Sequence, residues 1–141
     1  MLKKFEQSLV NVKNDDNMCL VWAILSVLYP QKQGKTQQRI YERYVSQLNL
    51  EGFNFESVST LQSSRDDIKR MEKNNEWLSI CCYVMNEQEK SINVFHVSDR
   101  YQVNPHPSIR EVNLLLIHDS SDETATRYHF VGITNLKALV R

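Results

Sequence analysis

The chain has 141 residues, 41% of them hydrophobic and 24% charged, with only three Gly and three Pro, which excludes collagenous, linker-like and wholly disordered chains. Seventeen basic residues balance seventeen acidic ones, so the general attraction to phosphate that marks most nucleic-acid-binding domains is missing, and nucleic acid is disfavoured as a partner. The three cysteines, Cys19, Cys81 and Cys82, are an odd number with two adjacent; this does not fit a secreted disulfide framework and points to an intracellular compartment, cytoplasm or nucleus.

No repeat or Pro/Gly/Ser-rich stretch divides the sequence, so one domain over 1–141 is expected. At this size a chain hides roughly 68% of its unfolded surface and needs neither metal nor disulfide to hold a core. Met1 to Ser8 reads as a short helix and Leu9 to Val12 as an extended piece. The apolar run from Met18 to Tyr29 predicts a helix over about 18–29, opened by the cap-forming Asp15, Asp16 and Asn17 and stopped by Pro30. Because it is apolar on nearly every face, it must be surrounded by protein; at roughly 18 Å it is too short for a hydrocarbon core of ~30 Å, and no membrane partner is expected. Two acids also stand where a signal peptide would carry basic residues.

A second, amphipathic helix is predicted over about 36–49, with Ile40, Tyr41, Tyr44, Val45 and Leu48 on its inner stripe. A short peripheral helix follows from Arg65 to Asn74, carrying Ile68 and Met71. Trp77 to Met85 and Ser91 to Val97 read as one hairpin, and Val112 to His118 and Arg127 to Thr134 as another. Asn135 to Val140 fits a terminal helical turn. Helices first and an antiparallel sheet second is an α+β pattern.

Cys19 falls in the first turn of the predicted buried helix, where free amides and the positive dipole end stabilise a thiolate. A nucleophile there needs a proton acceptor, and His129 in a later strand-like segment supplies the residue type; a cysteine on a helix facing a histidine on a sheet is the papain-like arrangement. Backbone amides around Asp16 to Cys19 can form an oxyanion hole. The plain alternative is that Cys19 is a small buried side chain and His129 an ordinary strand histidine. Cys81 and Cys82 read as packing residues. His96, His106, His118, His129 and the cysteines lack metal-ligand spacing, so no metal and no cofactor are expected. Lys35, Arg39 and Arg43 form a basic stripe that reads as a solvated face.

The blocks Asn11-Val12-Lys13-Asn14-Asp15-Asp16-Asn17-Met18-Cys19, Leu48 to Phe53, Asp67 to Lys69, Glu72 to Asn75, Val112 to Ile117, and His129-Phe130 to Asn135-Leu136 follow one another over most of residues 11–136. In this order they resemble the cysteine-protease-like domain found upstream of the zinc-finger and family-B DNA polymerase regions of Polinton (Maverick) transposons and related viruses. The shorter pattern Asp16-x-x-Cys19-Leu20-x-x-Ala23-Ile24 is similar to the nucleophile motif of ovarian-tumour-type deubiquitinases. That similarity implies Cys19 as nucleophile, His129 as base, and an oxyanion loop at Asp16 and Asn17. The sequence departs from that class at Asn17, where the class has Gly, and at Val131, where it has an acidic or amide residue. Relatives of the herpesviral tegument enzymes place Asp where Arg127 stands.

The third catalytic group stays open among Asn135, Asp119 and a bare Cys/His dyad. The expected function is a thiol isopeptidase or peptidase, deubiquitinase-like, acting on ubiquitin, a ubiquitin-like protein or another protein. Its alternatives are a catalytically inactive protein-interaction domain of a transposon or viral polyprotein, and a nucleic-acid accessory domain of a polymerase. The expected architecture is α+β, with the buried N-terminal helix packed on an antiparallel sheet.

Overall fold

The computed structural model describes residues 8–13, 16–55, 60–86, 91–100, 106–119 and 127–136. In chain order the regular elements are β1 (Leu9–Val10), α1 (Cys19–Leu28), 3-10 helices at Gln38–Ile40 and Glu42–Gln47, α2 (Leu61–Asn74), β2 (Leu78–Asn86), β3 (Ser91–His96), β4 (Arg110–Asp119) and β5 (Arg127–Ile133). The strands form one five-stranded sheet in the order β1-β5-β4-β2-β3. Both expected hairpin pairings form, β2 with β3 and β4 with β5. The sheet is mixed, which corrects the antiparallel expectation: β2 and β4 lie side by side in parallel, from Leu78↔Arg110 to Val84↔Leu116. The cause is the route of the chain. Antiparallel β3 runs back towards the end where β2 began, and β4 starts at that same end on the other side of β2, where the Arg110 N–H donates to the Trp77 carbonyl at 2.7 Å.

One sheet face carries α1. Leu78, Ile80 and Cys82 of β2, Val112, Leu114 and Leu116 of β4, and Phe130 of β5 join the α1 side chains in the main core. The other face holds Leu9, Met85, Leu115, Val131 and Ile133 in a second cluster. Strand side chains alternate between faces, and each cluster therefore takes every second residue of β4 and β5. Nine of the ten α1 residues are buried, as an all-round apolar helix requires. α1 also meets the 3-10 helix at Glu42–Gln47, while α2 packs beside β2, and Tyr41, Leu48, Ile68 and Met71 join the same core. Each such Leu or Ile contributes about 1.5–3 kcal/mol through burial.

Gly132 sets how closely α1 approaches β5. A Cβ at this position would lie 2.6 Å from Ser26 Oγ, 2.9 Å from Val27 Cγ2 and 3.1 Å from the Ala23 carbonyl oxygen. Only a residue without a side chain fits.

The helix expected over 36–49 is replaced by the two 3-10 helices. Tyr41, fully buried, donates its hydroxyl to the Lys35 carbonyl at 2.5 Å, and Tyr44 stacks on Tyr29 with ring centroids 4.1 Å apart. These two anchors three residues apart suit three residues per turn. Lys35, Arg39 and Arg43 are exposed. The helix expected from Arg65 starts earlier, because Thr60 and Ser63 form a capping box ahead of it. Most of the helix expected over 1–8 and of the turn expected over 135–140 lies outside the described residues. Among the described residues no helix is long and apolar enough to cross a membrane.

Candidate functional site

Cys19 opens α1 and is 6% exposed, inside the main core. The loop before it is tied down from one side by Asp16, whose Oδ1 accepts from the Met18 N–H and from the Trp22 indole N–H, both at 3.1 Å. Asn17 donates its side-chain amide to the Phe55 carbonyl at 3.0 Å. Both residues named for the oxyanion loop therefore make contacts that fix the entry to α1. Met18 occupies the cap position without a side-chain cap bond, while Asp15 lies outside the described residues.

His129 pairs with Ile117 across β4 and β5. Its neighbours Tyr128 and Phe130 belong to the α1-side core, and Gly132 lies against α1. Val131 and Ile133 belong to the cluster on the far face. By strand alternation His129 points to the far face with Val131. Its partner agrees: Nε2 lies 2.7 Å from Oδ1 of Asn11, and Asn11 follows β1, where Leu9 faces the far cluster and Val10 the α1 core. Strand alternation thus sets His129 on the sheet face opposite the core that holds Cys19.

Asn135 lies past the end of β5, where its backbone N–H reaches the Ser8 carbonyl at 3.4 Å. The strand that carries His129 ends at Ile133 and bends at Thr134 before Asn135. The amide beside the imidazole is Asn11, a residue quoted within the family-like block of the sequence but given no role there. Asp119 ends β4 opposite Arg127, two positions beyond the Ile117 that faces His129.

Cys82 is fully buried, and Cys81 nearly so. Burial raises the pKa of both thiols, that of Cys82 the more strongly, as suits packing residues. Among the described residues no three His, Cys, Asp or Glu side chains are grouped to hold a metal ion.

A second polar constellation, not read from the sequence, sits where β3 ends. Past His96, β2 has no strand partner on that side among the described residues, and Glu72 of α2 takes the place. Its Oε2 accepts from the Ile80 N–H at 3.3 Å and from the Ser98 hydroxyl, while His96 Nε2 lies 2.6 Å from Oε1. Burial presses the Glu72 pKa upward, but the hydrogen bonds from His96, Ser98 and Ile80 outweigh it and hold the carboxyl below its ordinary value. Arg100 stands beside the cluster, with NH1 donating to the Leu78 carbonyl at 2.8 Å and lying 3.9 Å from Glu72 Oε2. A cleft of 710 Å³ opens over Glu72, bounded by Lys69, Lys73, His96, Val97, Asp99 and Arg100. These residues come from α2, from the end of β3 and from the turn after it, and no local spacing announces that they meet.

Comparison of the chain with protein-family models, with curated proteins and with solved structures found no match.

Proposed function

We propose that this chain is a non-catalytic protein-interaction module that retains a papain-like frame, a buried helix headed by a cysteine and packed on a sheet. The observation that carries the reading is the placement of Cys19 and His129 on opposite faces of the sheet. Thiol hydrolysis needs the sulfur and the imidazole within hydrogen-bond reach, directly or through one water.

One observation favours the thiol isopeptidase as a second reading. In papain-like enzymes an amide oxygen orients the histidine, and Asn11 Oδ1 stands at His129 Nε2. Activity would require His129 to reach the α1 face. A one-residue slip of β5 does this, but it also turns Phe130 out of the main core and moves Gly132 from its place against α1.

Ubiquitin carrying a C-terminal electrophile, used alongside a general peptide substrate, separates the two readings. The interaction module leaves the folded protein without an adduct on Cys19 and without peptide cleavage. An adduct on Cys19 that His129→Ala abolishes would overturn it in favour of the peptidase.

A further inference from the structure

The cleft over Glu72 is independent of the question posed by Cys19 and His129. Its acidic floor is occupied from within: Oε1 of Glu72 is engaged by His96, and Oε2 by Ser98 and the Ile80 amide, with Arg100 alongside. Asp99 is the remaining acid on its wall. Against these stand Lys69 and Lys73, one helical turn apart on the same side of α2, and Arg100 across the cleft. Among the described residues neither lysine is in an ion pair.

Arg100 is held rather than swinging freely. Its NH1 donates to the Leu78 carbonyl at 2.8 Å, and its backbone N–H donates to Ser98 Oγ at 3.0 Å, the same hydroxyl that donates to Glu72. His96 is fixed through Nε2, which leaves Nδ1 as the ring nitrogen open to a ligand. An anchored guanidinium and an oriented imidazole are preorganised groups, and they stand beside the two ammonium groups of Lys69 and Lys73.

We propose that this cleft binds a phosphoryl dianion, as free phosphate or as the phosphate of a small monoester, between Lys69, Lys73, Arg100 and His96. Three cations, Lys69, Lys73 and Arg100, face two carboxylates, Glu72 and Asp99, so the cleft keeps an excess of one positive charge, and a guanidinium suits the oxygens of a phosphoryl group. The volume falls in the range of small-molecule sites.

The test follows the ring signals of all four histidines by NMR while the protein is titrated, at constant ionic strength, with inorganic phosphate, with O-phosphoserine and with chloride. Saturable movement of the His96 signals by either phosphate compound, with His106 and His118 unmoved, is expected. The compound that binds more tightly distinguishes free phosphate from an ester. The affinity should fall at least about tenfold in Lys69→Glu/Lys73→Glu, as removal of two phosphate contacts implies, and should survive in Lys69→Arg/Lys73→Arg. No movement at millimolar phosphate, equal movement of all four histidines, or unchanged binding in the doubly reversed variant would overturn the proposal. The arginine variant shows whether the helix face tolerates substitution.

Discussion

Glu72 accepts the backbone N–H of Ile80 at 3.3 Å, so a helix side chain closes a strand edge that the neighbouring strand leaves open. The same carboxylate holds His96 and Ser98. Glu72→Ala should therefore cost about 2–4 kcal/mol, because it strands a buried amide and two side-chain donors at once. Glu72→Gln should cost less, since its amide oxygen can serve one of these donors. Urea unfolding measures both; a loss below about 0.5 kcal/mol for the alanine variant, the scale of an ordinary surface substitution, would mean the network is idle.

The acid limb of stability follows from the same residue. The folded-state pKa of Glu72 lies below its ordinary 4.5, so the unfolded chain takes up the proton first. The stabilisation is present above pH 4.5 and is lost as pH falls through the folded-state value. The stability gap between the natural protein and Glu72→Gln should narrow as pH is lowered through this window. A gap that widens with acid would contradict the assignment.

Gly132→Ala should destabilise by about 1–3 kcal/mol through overpacking against α1. Ser26→Ala in the same chain removes the nearest clash, at 2.6 Å, but leaves Val27 and the Ala23 carbonyl close by. The double variant should recover part of the loss, and a double-mutant cycle gives the coupling. Strict additivity would place the two residues out of contact.

Ser79 is 1% exposed, and its hydroxyl has no hydrogen-bond partner among the described residues. Removing a buried, unsatisfied hydroxyl relieves its desolvation. Ser79→Ala is expected to be neutral or to stabilise by up to about 1 kcal/mol, read from the denaturation midpoint. A clear destabilisation would reveal a partner for the hydroxyl.

Asn11 Oδ1 as acceptor fixes the proton of neutral His129 on Nε2. Long-range nitrogen–proton NMR should find this tautomer dominant in the natural protein and lose that dominance in Asn11→Ala. The bond is exposed, so stability should change by no more than about 1 kcal/mol. A dominant Nδ1–H form in the natural protein would argue against the pairing.

Much of the fold was legible because periodicity is strong where one face meets the core. The apolar run of α1, stopped before Pro30, and the hairpin pairings β2–β3 and β4–β5 follow from it. The 36–49 segment misled because Tyr41 and Tyr44, or Val45 and Leu48, suit three residues per turn as well as 3.6. The parallel contact of β2 and β4 leaves its mark only in the burial of both faces of β2, which does not say which strand lies beside it. The side on which His129 stands was not readable, since Tyr128, Phe130 and Val131 are apolar to either side of it and each sheet face has its own core. The meeting of Glu72 with His96 and Ser98 spans 24 and 26 positions, beyond the reach of any local pattern.

The pairing of α1 with Gly132 also bears on how the protein is made. During synthesis the most apolar helix of the chain emerges early, whereas the strand it packs against follows about a hundred residues later, a delay of roughly 5–20 s at ordinary rates of translation. For that interval Trp22, Ile24 and Leu25 lack the β5 part of the sheet face that α1 packs on. The nascent chain therefore presents a sticky helix that a ribosome-associated chaperone would shield until β5 arrives.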